Sequence, residues 1–127
     1  MRILVVDDDY HDGEQVSSFA RKEGIEVRVL DNLTDAIRVL MAEEYDLLLL
    51  DMHLPGFNGA TALSLLNEVA PRTPIMLLAS QTSAYSTHQL LQAGAFRVLE
   101  KPLVREILLA AIREACASRH PGTSDAA

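Results

Sequence analysis

Several charged residues of this 127-residue chain stand where apolar runs stop. ILVV at 3–6 leads into Asp7 and Asp8, DLLLL at 46–50 into Asp51, PIMLLA at 74–79 into Ser80, and FRVL at 96–99 stops two residues before Lys101. A carboxylate fixed at such an end can attack an electrophile or ligate a cation, and an ammonium beside it can neutralise developing charge. If these ends meet, three carboxylates and one ammonium share one spot. Two carboxylates about 4 Å apart, at an effective dielectric of about 20, repel by roughly 4 kcal/mol, so the cluster implies a hard divalent cation. Magnesium suits it, because Mg²⁺ favours one or two carboxylates, water and a substrate phosphate over a cage made wholly of protein.

Whether the ends meet depends on the elements that carry them. The apolar segments, with IEVRVL at 25–30 as a fifth, begin roughly every 21 to 28 residues, which leaves room for a helix between each pair. Helical spacing does recur: Leu33, Ala36, Ile37, Leu40 and Met41; Ala62, Leu65, Leu66 and Val69; Val104, Ile107, Leu108, Ala111, Ile112 and Ala115. Each series is expected to lay one apolar stripe on a sheet. Gly24 and Gly94 fall where helices should stop, and Pro74 opens a strand without needing an N–H. Strands unbroken in Leu, Val and Ile suit a parallel sheet covered on both faces. The class is α/β, with right-handed crossovers. Ligands of such open sheets collect beyond the carboxyl ends of the strands, which is where the acids and the lysine stand.

Composition narrows the function. The 11 Lys and Arg against 18 Asp and Glu give a net charge of -7, which repels phosphate backbones and anionic lipid and argues against direct nucleic-acid or membrane binding. The single cysteine, Cys116, forms no internal disulfide and reads as a packing residue. Ile3–Val6 is too short for a signal peptide, and no run approaches a membrane span, so a cytoplasmic protein is expected. Residues 118–127, SRHPGTSDAA, are small and polar and are expected to be a flexible tail or the start of a linker after a domain over 1–117. Asp9 reads as a helix cap and His53 as an exposed loop side chain.

The pieces ILVVDDD, LLLLDMHLPGFNG and AGAFRVLEKPL, taken together, resemble the receiver domain of two-component response regulators over residues 2 to about 117. The resemblance implies a (βα)5 flavodoxin-like fold with strand order 2-1-3-4-5. It implies that Asp51 is the phosphoacceptor, taking a phosphoryl group from the phosphohistidine of a sensor kinase or phosphotransfer protein. Asp8 would bind Mg²⁺ directly, Asp7 through water, and Asp51 and the backbone carbonyl of His53 would complete the protein ligands. Lys101 would bind a phosphoryl oxygen, aimed by a cis peptide at Pro102. Such a domain catalyses at most its own phosphoryl transfer and slow autodephosphorylation. It signals through altered docking on the fourth helix, fifth strand and fifth helix, here around Thr87, Leu91, Val98 and Arg105, and can form a homodimer. The chain would be a stand-alone receiver or one excised from a longer protein.

Two positions depart from that pattern. Ala79, 22 residues before Lys101, stands where receivers usually carry a Thr or Ser hydroxyl, and Val98 stands where many carry Tyr or Phe. Ser80 comes one position late and faces the other way in an extended segment, so it can substitute only if the loop is distorted. A receiver-like interaction module with weak or no phosphorylation-dependent switching is therefore the alternative. A phosphatase with an aspartate nucleophile needs a second acid two residues on, where His53 stands, and DDDYHDG after the first strand lacks the glycine-rich loop of a dinucleotide site.

Overall fold

In the computed structural model, described over residues 1–80 and 86–124, β and α elements alternate. They are β1 (Arg2–Val6), α1 (Tyr10–Arg21), β2 (Glu26–Leu30), α2 (Leu33–Ala42), β3 (Leu47–Asp51), α3 (Ala60–Val69), β4 (Ile75–Ala79), α4 (Thr87–Gln92), β5 (Arg97–Glu100) and α5 (Arg105–Ser124). All strand pairs are parallel, in the order β2-β1-β3-β4-β5. The order reverses between β1 and β3, so the loops after those two strands diverge and leave a crevice.

The four leucines before Asp51 divide between two cores. Leu47 and Leu49 join Ile3, Val5, Met76 and Leu78 under α1 and α5. Leu48 and Leu50 join Leu4, Val6, Ile75 and Leu77 under α2, α3 and α4. Alternation along a strand sends neighbours to opposite faces, and here both faces are covered. Full burial of a leucine stabilises by about 1.5–3 kcal/mol before entropy is counted, so β3 is anchored from two sides.

The helices bury narrower arcs than their apolar spacing predicts. Met41, Leu65, Val104 and Ile107 are exposed, while Leu63 and Leu109 are buried in their place. A short helix touches the sheet along a single line, and residues about 100° from that line meet solvent whatever their type. Gly24 and Gly94 do end α1 and α4, with φ of 76° and 118°. Asp9 caps α1, its carboxylate accepting from the amides of His11 and Asp12. Cys116 packs against the first core, its Sγ 3.6 Å from Met1 Sδ. The backbone of 118–124 continues α5, and 125–127 lie outside the described residues.

At the amino ends of the strands, ion pairs lie on the surface. Arg2 meets Glu26 at 3.1 Å and Glu43 at 2.8 Å and lies 4.5 Å over the Tyr45 ring, while Arg28 reaches Glu43 at 3.1 Å.

Candidate functional site

At the opposite, carboxyl edge the strand ladders continue into the acids and the lysine. Asp7 N donates to Leu30 O at 3.0 Å, Met52 N to Leu78 O at 3.0 Å, and Lys101 N to Ala79 O at 2.7 Å. Asp7 and Lys101 are thus held by last rungs of the sheet, and Asp51 stands one residue before another. Asp7 and Asp51 are buried, at 3% and 2% exposure, and Asp8 is exposed.

Hydrogen bonds fix the two buried carboxylates. Asp51 Oδ1 accepts from His53 N at 3.1 Å and from Lys101 Nζ at 3.4 Å. Asp7 Oδ1 accepts from Asp9 N at 2.9 Å, and its Oδ2 lies 3.3 Å from Lys101 Nζ. A ligand atom from each of Asp7, Asp8 and Asp51 lies within 4.8 Å of the others. Burial pushes the Asp7 carboxyl up to about 7; the Asp9 amide and Lys101 oppose that, while the charges of Asp51 and Asp12 add to it. Burial alone would lower the Lys101 ammonium, but its bond to Asp12 and the charges of Asp7 and Asp51 raise it well above the ordinary lysine value. The lysine is a fixed cation.

The structure therefore brings together Asp7, Asp8, Asp51 and Lys101, and the Lys101–Pro102 peptide is cis. His53 is exposed, as its loop position predicts, yet it has a partner the sequence did not announce: its Nε2 lies 2.7 Å from Ser80 Oγ. That contact joins the loops after β3 and β4 across the mouth of the site. Ala79 is buried and shares the second core with half-buried Val98. Thr87 and Leu91 are exposed on α4, and Arg105 bonds Glu23 at 3.2 Å, which ties the start of α5 toward α1.

Sequence reasoning missed Asp12. Its Oδ2 lies 2.5 Å from Lys101 Nζ, nearer than Asp7 or Asp51. A signal existed in hindsight, since an acid in the first turn of α1, three residues after the capping Asp9, lies at the same crevice.

An all-oxygen, net-negative donor set suits a hard divalent ion and no softer metal. One ammonium facing Asp7, Asp12 and Asp51 leaves charge for such a cation to neutralise. The same arrangement holds a strand-end carboxylate beside a lysine, as attack on a phosphoryl group requires.

Comparisons with known proteins give the family of the chain. Residues 3–113 match the family described as the response regulator receiver domain. The probable transcriptional regulatory protein SilR of Salmonella typhimurium is 34% identical over 113 residues, 89% of this chain and 50% of that protein. The DNA-binding response regulator MtrA of Mycolicibacterium paratuberculosis is 34% identical over 112 residues, 88% of this chain and 49% of that one. The chain thus spans about half the length of these two relatives. Among solved structures, a CheY-like receiver domain protein from Methanospirillum hungatei superposes with a TM-score of 0.85 at 26% identity, covering 95% of this chain and 97% of the other. A putative response regulator from Chloroflexus aurantiacus superposes with a TM-score of 0.83 at 27% identity, covering 91% and 97%.

Proposed function

The chain belongs to the response regulator receiver family, and from that premise we propose that Asp51 is its phosphoacceptor. The observation that carries the proposal is the meeting of a buried strand-end carboxylate with a lysine ammonium at 3.4 Å, beside Asp7 and Asp8. In the transfer, an Asp51 oxygen attacks phosphorus in line, the P–N bond of a kinase's phosphohistidine breaks, and the imidazole leaves with the bonding pair. The product is an aspartyl phosphate. The two donors on Asp51 Oδ1 hold the carboxylate plane while it reacts. Lys101 then follows the negative charge onto a phosphoryl oxygen, acting as a point charge.

Asp8 and Asp51, the His53 carbonyl, and Asp7 through water would hold Mg²⁺, which when bound supplies charge neutralisation for the incoming phosphoryl group. Positioning is the protein's own contribution: β3, buried along its whole length, keeps the nucleophile from drifting. The signal would then leave through docking on α4, β5 and α5, where Thr87 and Leu91 are exposed, to a protein partner or a second copy. Ala79 offers no hydroxyl to the phosphoryl group, and this favours a weak conformational response; an interaction module is the second reading on that account.

Incubation with acetyl phosphate and Mg²⁺, followed by intact-mass measurement, tests the assignment. Wild type should gain one phosphoryl group and Asp51→Asn none. An unmodified wild type, with Mg²⁺ saturating and a kinase donor also failing, would support the interaction module instead.

A further inference from the structure

Lys101 Nζ has three N–H donors and faces three carboxylates: Asp12 Oδ2 at 2.5 Å, Asp7 Oδ2 at 3.3 Å and Asp51 Oδ1 at 3.4 Å. Its donor capacity is full before any phosphoryl group arrives. Asp7 and Asp51 belong to the acid cluster at the strand ends, but Asp12 comes from α1 and approaches the ammonium most closely. Resting on the phosphoacceptor reading of Asp51, we propose that Asp12 is a positioning residue that holds Lys101 in reserve, so that a phosphoryl group on Asp51 must draw the lysine away from it.

Two features make the hold stiff. Asp12 and Lys101 are only 21% and 18% exposed at the side chain, so water screens their attraction weakly. The turn that carries Asp12 is also pinned. Asp9 accepts from the amides of His11 and Asp12, and at Gly13 a Cβ would come within 2.9 Å of Val29 Cγ1, so α1 sits directly on the outermost strand β2. The helix start therefore cannot follow Lys101 toward Asp51. When Asp51 becomes an acyl phosphate its own carboxylate charge is gone and the negative charge moves outward onto the phosphoryl oxygens. Lys101 must shift with that charge, and the contact to Asp12 lengthens. The resting pair thus competes with the phosphorylated state for one ammonium.

The test uses ¹⁵N-lysine-labelled chain and beryllofluoride with saturating Mg²⁺ as the phosphoryl mimic. Asp12→Asn should move the Lys101 Nζ resonance of the metal-free protein and bind beryllofluoride roughly fivefold more tightly, as expected for release of about 1 kcal/mol of competing charge-assisted bonding. Glu14→Gln removes the same charge from the same helix, at a carboxylate bonded to Tyr10 Oη instead, and should do neither. Tighter binding with an unmoved Nζ resonance would mean that Asp12 merely repels the anion, and overturns the proposal. Unchanged or weaker binding in Asp12→Asn, with wild type binding normally, overturns it as well. A wild type that takes up no beryllofluoride removes the phosphoacceptor reading, and the competition with it.

Discussion

The two edges of the sheet carry the same kinds of side chain to opposite ends. At the amino edge, Arg2 and Arg28 face Glu26 and Glu43 in pairs that are 37–70% exposed, with positive and negative charges matched. At the carboxyl edge, one lysine faces Asp7, Asp12 and Asp51, and these side chains are 0–21% exposed. The first arrangement is complete and screened, so it contributes little beyond holding surface chain in place. The second is buried, unbalanced and oxygen-rich, a state that costs free energy until a cation arrives. An imbalance kept in a buried place makes the carboxyl edge the candidate site.

The sharpest way to break that contrast is to remove the one cation. Lys101→Met should destabilise the metal-free protein by about 3 kcal/mol in urea unfolding, because buried carboxylates lose their partner. A loss no larger than that of an exposed pair would make the two edges equivalent. Next in size, Asp51→Asn should stabilise the metal-free protein by about 1–3 kcal/mol, since it relieves repulsion among acids in a shielded site. Mg²⁺ should raise the melting temperature of wild type by binding the folded state, and Asp8→Ala should abolish that rise. A normal response in Asp8→Ala would locate the ion elsewhere.

The pH dependence separates the edges by sign. Asp7 binds its proton more tightly when folded, with a pKa of about 7 against an ordinary 3.8. Its contribution to stability is therefore largest at low pH and falls as pH rises from about 4 to about 7, and Asp7→Asn should flatten that decline in metal-free protein. Glu43 is shifted the other way, chiefly by its hydrogen bond to Arg2, so its contribution is present above the ordinary 4.5 and is lost as pH falls through the folded value. Thermal melts at stepped pH read both slopes. Smallest of all, Glu43→Gln should lower the melting temperature only slightly, and high salt should erase the difference. A large salt-resistant loss would show that the amino edge is no mere surface.

Most of this organisation is legible in the sequence. Asp7, Asp8, Asp51 and Lys101 are recognisable because each follows an apolar run, and a parallel sheet must gather its carboxyl ends. The helical arcs were less legible: Leu63 and Leu109 turn inward while Leu65 and Ile107, equally apolar, face solvent. Periodicity gives a stripe, and only the crossing line of helix on sheet says which edge of the stripe is covered. Asp12 was legible only as an acid in the first turn of α1, and the His53–Ser80 contact not at all. Each joins residues on different elements through side-chain reach, a distance of a few ångströms that no spacing along one chain encodes.

The three ladder bonds made by Asp7 N, Met52 N and Lys101 N have a consequence for how the site keeps time. An amide in a sheet rung trades its proton for deuterium only when the strands part, whereas loop amides trade theirs continually. These three amides should therefore outlast by far those of their neighbours in the loops. The roots of the site are therefore held from one opening of the sheet to the next.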